Sequence, residues 1–68
     1  MYEFFITVYE LGEENSKVLY NKHKTKTIHC TVLLDKTGFY GTATDEQINN
    51  IIDDIIKLGK DYGVTRRG

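Results

Sequence analysis

The fold is decided by residues 44–63, TDEQINNIIDDIIKLGKDYG, which predict one long amphipathic helix over about 45–62. Thr44 is suited to the N-cap, and Gln47 three residues later completes the spacing of a capping box. The isoleucines of this stretch recur at helical spacing, with asparagine, aspartate and lysine between them. This pattern predicts a helix with one broad apolar face that packs on another element.

Two glycines near the end of this stretch are predicted to have different roles. Gly59 lies near the middle of the apolar face, where a missing side chain allows close approach to a sheet at a helix-propensity cost of about 1 kcal/mol. Gly63, followed by Val64, has the pattern of a left-handed C-cap. We therefore expect the helix to end there and residues 65–68 to form a mobile basic tail.

Alternating apolar and polar residues before the helix predict strands joined by polar turns. The expected strands cover about residues 2–11, 17–22, 27–34 and 39–43. Residues 27–34 have the clearest pattern of a central strand, with Ile28, Cys30, Val32 and Leu34 on one face. On the first strand, the more continuous apolar face is Tyr2, Phe4, Ile6 and Val8, and both faces are expected on the side that the helix covers. The predicted fold class is α+β: an antiparallel three- to four-stranded sheet with meander connections, followed by one C-terminal amphipathic helix packed on one face. The whole chain, residues 1–68, is expected to be a single domain.

Length, charge and cysteine content narrow the class of protein. A chain of 68 residues is near the lower size limit for folding without outside help, and its formal charge is −1. The single cysteine, Cys30, cannot form an internal disulfide, and no apolar run is long enough to span a membrane. We expect a cytoplasmic protein without a membrane partner. The abundance of Ile, Lys, Asn and Tyr is typical of low-GC bacteria and their phages. For a phage-encoded protein, the expected compartment is the cytoplasm of the host.

The conventional soft metal ligands are His23, His29 and Cys30. Neighbouring residues on a strand point to opposite faces, so His29 and Cys30 are not expected to share an ion. Cys30 alternates in phase with Ile28 and other apolar residues, which predicts a small core residue rather than a nucleophile. We therefore predict that the chain is not an enzyme and holds no cofactor and no metal.

A second apolar sheet face is the first feature that indicates a function. One helix covers only one side of a sheet, and soluble monomers seldom leave a large apolar patch open. The predicted partner-binding residues on this side are Phe5, Tyr9, Leu11, Leu33 and Tyr40. The leading interpretation is a small non-enzymatic protein-binding module, with a protein partner or a homodimer on this face, of the kind phages and mobile elements use to inhibit host proteins.

The acidic side of the helix offers a second surface for the same class of function. Glu46, Asp53 and Asp54 could imitate the phosphates of a nucleic acid toward a basic host protein. Polar residues on a helix usually form only a solvated face, which is the competing interpretation of these carboxylates.

Nucleic-acid binding is the alternative, carried by basic residues in two clusters. The candidates are Lys22, Lys24 and Lys26 on a predicted β-ribbon, with Arg66 and Arg67 in the tail. In element order the chain resembles the AP2-like and integrase arm-type DNA-binding domains, in which a sheet enters the major groove. Lysines also protect sheet edges from unwanted pairing, and the near-neutral charge weighs against a nucleic-acid partner.

Overall fold

The computed structural model describes all 68 residues and contains four strands and two helices. In chain order they are β1 (Tyr2–Tyr9), α1 (Glu13–His23), β2 (Ile28–Val32), β3 (Lys36–Ala43), α2 (Asp45–Lys57) and β4 (Tyr62–Arg67). The strands form one antiparallel sheet in the order β2-β3-β1-β4. The predicted α+β class and antiparallel sheet are confirmed. The meander followed by a single C-terminal helix is wrong, because one helix lies between the first two strands.

Each helix connects two strands that run parallel to each other and lie on either side of a third strand. β1 and β2 flank β3, and β3 and β4 flank β1. This β-α-β-β-α-β order is the ferredoxin-like arrangement. It replaces the resemblance to the AP2-like and integrase arm-type domains, which depends on consecutive strands followed by one helix. Neither helix is long and apolar enough to cross a bilayer.

Helix α1 occupies the region that was predicted as a strand over residues 17–22. The sequence features that favour this helix are electrostatic. Glu13 and Glu14 lie in its first turn, and Lys22 and His23 lie in its last. Acidic residues at the start and basic residues at the end of a helix stabilise its dipole. The prediction failed because the buried stripe of α1 contains only Ser16 and Leu19, too little apolar periodicity to distinguish a helix from a strand.

Helix α2 begins as predicted and ends earlier. Thr44 and Gln47 form the complete capping box. At the other end, the backbone N–H of Gly59 donates to the carbonyl of Ile56, and that of Lys60 donates to the carbonyl of Ile55. With Gly59 at φ +70°, these bonds make a Schellman motif that stops the helix. Gly59, and not Gly63, is therefore the left-handed C-cap glycine.

The early end of α2 releases the last residues to form β4. Tyr62–Arg67 pairs antiparallel with β1, from Val8 opposite Tyr62 to Glu3 opposite Arg67. The predicted mobile tail over 65–68 is therefore wrong at Thr65, Arg66 and Arg67, which belong to a strand. β1 and β3 are the central strands, and the predicted central strand over 27–34 is instead the short edge strand β2.

The core lies between the helices and one face of the sheet. On β1 it takes the predicted side, Phe4, Ile6 and Val8. The full set of buried apolar residues is Phe4, Ile6, Val8, Leu11, Leu19, Ile28, Phe39, Ala43, Ile48, Ile51 and Ile55. Val32 and Leu34, which alternation placed in the core, are exposed because β2 ends at Val32 and the hairpin turn follows.

Candidate functional site

The side of the sheet away from the helices is uncovered, and its side chains form rows across the strands. The strand registers place His29, Tyr40, Phe5 and Thr65 directly opposite one another, one residue from each strand. The ring centroids of Phe5 and Tyr40 are 6.1 Å apart with the planes 20° from parallel, and those of His29 and Tyr40 are 5.4 Å apart. Three rings from neighbouring strands therefore form one continuous aromatic row.

The next row consists of small residues. It contains Thr31, Gly38, Thr7 and Gly63, again in direct register. A Cβ at Gly38 would lie 3.1 Å from Cζ of Phe5. The missing side chain therefore lets the Phe5 ring lie over β3.

The row beyond it is bulky again. It contains Lys36 and Tyr9, which face each other, and Leu33, whose backbone N–H donates to the carbonyl of Lys36 across the β2–β3 hairpin. The ammonium of Lys36 lies 5.9 Å from the centroid of the Tyr9 ring, which is a cation–π distance. Phe5 and Tyr9 are four residues apart on β1, so the two bulky rows stand about 13 Å apart at the backbone.

These three rows define a groove that runs across the strands, which we call the open-face groove. Its volume is about 460 Å³, and it is lined by Phe5, Thr7, Tyr9, Thr31, Leu33, Lys36, Gly38 and Tyr40. The walls are aromatic and aliphatic, the floor carries two threonines and a glycine, and Lys36 is the one charged lining residue. Such a groove can accept apolar or planar groups and can offer hydroxyls to polar atoms beside them.

Four of the five residues predicted for a partner-binding face belong to the open-face groove. Phe5, Tyr9 and Tyr40 are 47%, 41% and 37% exposed, and Leu33 is 62% exposed. Leu11 was misplaced, since it is 2% exposed and packs in the core on the helix side. β1 ends at Tyr9, and the chain turns through Glu10 at φ 55°, so strand alternation no longer applies at Leu11.

Sequence reasoning missed the groove floor and one charge on its wall. The predicted strands end at Leu34 and resume at Phe39, which leaves Lys36 and Gly38 in a turn, whereas β3 already begins at Lys36. The signal that could have found them is the alternation of Lys36, Gly38 and Tyr40 on one side with Thr37 and Phe39 on the other.

The basic residues predicted to contact nucleic acid do not form a ribbon. Lys22 lies in the last turn of α1, where its ammonium is 3.0 Å from a carboxylate oxygen of Asp54 on α2. Lys24 and Lys26 follow the helix in an exposed connection. Arg66 donates to Asp45 at 2.6 Å and to Asn49 at 3.4 Å. Arg67 lies on the open side of β4, opposite Glu3.

The predicted acidic face is smaller than expected. Glu46 and Asp53 are exposed on α2, but Asp54 lies between the helices, where it also hydrogen-bonds Nε2 of His23. Burial alone would raise the pKa of Asp54, but the hydrogen bonds with His23 and Lys22, together with their charges, lower the pKa below its ordinary value. Asp54 therefore joins α1 to α2 and is not presented to a partner.

His29 and Cys30 lie on opposite sides of β2, as the sequence predicted. Cys30 packs against the core, and burial raises the pKa of its thiol, which opposes thiolate chemistry. His29 lies on the other side of the strand, beside Tyr40. No group of three or more His, Cys, Asp and Glu side chains is placed to hold a metal ion. The absence of an enzymatic, cofactor or metal-binding role stays a prediction.

No protein-family model, curated protein or solved structure matches this chain. The ferredoxin-like arrangement by itself supports many unrelated functions. The assignment of a function therefore depends on the open-face groove and its chemistry.

Proposed function

We propose that this chain is a non-enzymatic protein-binding module and that its open-face groove binds a segment of a partner protein through apolar side chains. The observation that supports this proposal most directly is the composition of the groove. Aromatic and aliphatic walls enclose a floor of small residues, and Lys36 is the one charged lining residue. Depletion of charge and enrichment of aromatic residues are the features that distinguish the centre of a protein interface from other surface.

The geometry also suggests how the partner segment is held. Side chains of the partner fill the space between the walls, while the hydroxyls of Thr7 and Thr31 on the floor hydrogen-bond polar groups beside them. Tyr9 and Tyr40, one on each wall, have only two side-chain torsions to immobilise and present large apolar rings with a polar tip. They are the expected anchors of the interaction, each contributing about 2 kcal/mol or more.

Affinity capture from a host-cell lysate, quantified by mass spectrometry, tests the proposal. Tyr9→Ala and Tyr40→Ala should each reduce recovery of the same protein by about tenfold or more, since about 1.4 kcal/mol corresponds to a factor of ten in affinity. Leu33→Ala should also weaken capture. Val18→Ala is the matched control, because Val18 is 61% exposed, like Leu33 at 62%, but lies on α1.

The proposal fails if no captured protein distinguishes the tyrosine variants from the control. Inhibition of a host protein by a phage-borne module, acting in the host cytoplasm, is one use of such a surface. It gains support only if the captured protein loses activity when the unmodified chain is added and keeps it when Tyr40→Ala is added.

Binding of single-stranded nucleic acid is a second candidate, favoured by one specific observation. The aromatic row of His29, Tyr40 and Phe5 is exposed on neighbouring strands. Four-stranded sheets with exposed aromatic residues on such strands stack two or three bases in RNA-recognition motifs. On the open side, the strands carry one acidic residue, Glu3, and two fixed cations, Lys36 and Arg67. This small excess of positive charge attracts phosphate only weakly.

Fluorescence anisotropy with single-stranded DNA and RNA oligomers separates the two candidates. With two cations on this face, the log–log salt slope should be no steeper than about −1.4, at about −0.7 for each phosphate contact. Saturable micromolar binding that is lost in both Phe5→Ala and Tyr40→Ala would favour nucleic acid. Capture of a protein that persists after nuclease treatment would favour a protein partner.

A further inference from the structure

The outer edge of β4 carries unpaired backbone groups. The backbone N–H of Tyr9 donates to the carbonyl of Asp61. Asp61 and every second residue after it therefore direct their backbone N–H and C=O groups toward β1. In an antiparallel ladder the intervening residues point the other way. Tyr62, Val64 and Arg66 therefore present their N–H and C=O groups outward, with no further strand of this chain beside them.

This edge has little of the usual protection against pairing, since its only charged residues are Arg66 and Arg67. β4 contains no proline and no lysine. Its one charge on the helix side, Arg66, is held on α2 by Asp45 and Asn49 instead of extending past the edge. The opposite edge strand, β2, follows a connection with the exposed lysines Lys24 and Lys26. The two edges of the sheet are therefore not equivalent.

An uncovered apolar strip runs beside the β4 edge on the helix side. On β4, Tyr62 and Val64 are 39% and 38% exposed. The side of α2 that faces β4 is identified by Arg66, which contacts Asp45 and Asn49. Continuing at helical spacing, the same side carries Ile52 and Ile56. Ile52 is half-buried and Ile56 is 54% exposed.

The sequence of the edge is complementary to itself about Val64. If two copies pair antiparallel with Val64 opposite Val64, then Tyr62 of each copy lies opposite Arg66 of the other. Asp61 of each copy then lies opposite Arg67 of the other. The residues at positions 62, 64 and 66 direct their backbone groups outward and form three facing pairs. Each such pair exchanges two hydrogen bonds, which gives about six hydrogen bonds between the copies. The pairing keeps both pairs of helices on the same side, so the two apolar strips meet.

We propose that two copies of this chain associate through their β4 edges, about a two-fold axis at Val64, to form one continuous eight-stranded sheet. The interface consists of the paired edges and the apolar strip of Ile52, Ile56, Tyr62 and Val64. This association differs from a homodimer through the open-face groove, because it leaves that groove free in both copies. The proposal is independent of the function proposed for the groove.

Sedimentation velocity over a concentration series tests the association. The unmodified chain should sediment as a dimer at high micromolar concentration. Val64→Lys and Val64→Asp should each be monomeric, because like charges face each other across the axis. A mixture of these two variants should recover the dimer as a heterodimer, since the opposite charges then meet. Val18→Lys makes the same substitution at an exposed position of α1 and should stay dimeric. Circular dichroism should show that every variant keeps its fold.

Three results would overturn the proposal. The first is an unmodified chain that remains monomeric at high micromolar concentration. The second is a dimer that resists Val64→Lys but dissociates in Phe5→Asp or Leu33→Asp, which would place the interface on the open-face groove. The third is failure of the two Val64 variants to associate when mixed, which would exclude a two-fold axis at this residue.

Discussion

Replacing Gly59 with alanine is expected to lower the free energy of unfolding by about 1 kcal/mol. Gly59 has φ +70°, a left-handed conformation that costs an L-residue roughly 1–2 kcal/mol. A Cβ at this position would meet nothing within 4 Å, so no clash adds to that cost. The reduced freedom of the unfolded chain offsets about 0.4–1 kcal/mol of it.

Gly63→Ala is the matched control, and its effect should have the opposite sign. Gly63 lies in β4 opposite Thr7, its φ is not in the left-handed region, and an added Cβ again meets nothing within 4 Å. Alanine should therefore raise the free energy of unfolding by about 0.5–1 kcal/mol. A helix that continued to residue 62 would reverse both signs, because Gly59 would then be a mid-helix glycine and Gly63 the left-handed cap.

Urea unfolding followed by circular dichroism measures both effects, with all samples at one protein concentration because association changes apparent stability. For a domain of this size, a change of 1 kcal/mol corresponds to roughly 4–8 °C in Tm. The Schellman ending of α2 would be refuted if Gly59→Ala stabilised the protein and Gly63→Ala destabilised it.

Two further predictions concern the core and the contact between the helices. Leu11→Ala should destabilise the fold by about 2–5 kcal/mol, because Leu11 is buried. Leu33→Ala on the open-face groove should change stability by less than about 0.5 kcal/mol. Similar effects of the two changes in urea unfolding would contradict the placement of Leu11 in the core and Leu33 on the surface. The pKa of Asp54 is lowered in the folded state, so its contribution to stability is present above the pKa of the unfolded chain and is lost as pH falls through the folded pKa. The stability difference between the unmodified chain and Asp54→Asn should accordingly shrink in urea titrations taken from about pH 6 to pH 2. A difference that stays constant over that range would show that the contacts of Asp54 with Lys22 and His23 do not stabilise the fold.

The sequence alone determined the features that depend on strong local patterns. The start of α2 was predictable because Thr44 and Gln47 satisfy backbone groups within one turn. The core side of β1 was predictable because Phe4 and Ile6 alternate with residues of the other face in a strand of eight residues. Alternation also places Phe5, Tyr9 and Tyr40 on one face, so most of the walls of the open-face groove were predictable.

Only the tertiary structure decided the elements whose stability comes from distant contacts. Helix α1 has a narrow apolar stripe, and Ser16 is buried in it through a contact with Thr37 of β3. β4 is exposed at every position, so no burial pattern marks it, and it exists because β1 offers a free edge for pairing. The groove floor likewise depends on the register that sets Gly38 opposite Thr7. Such pairings join residues far apart in the chain, and local propensity is too weak to specify them.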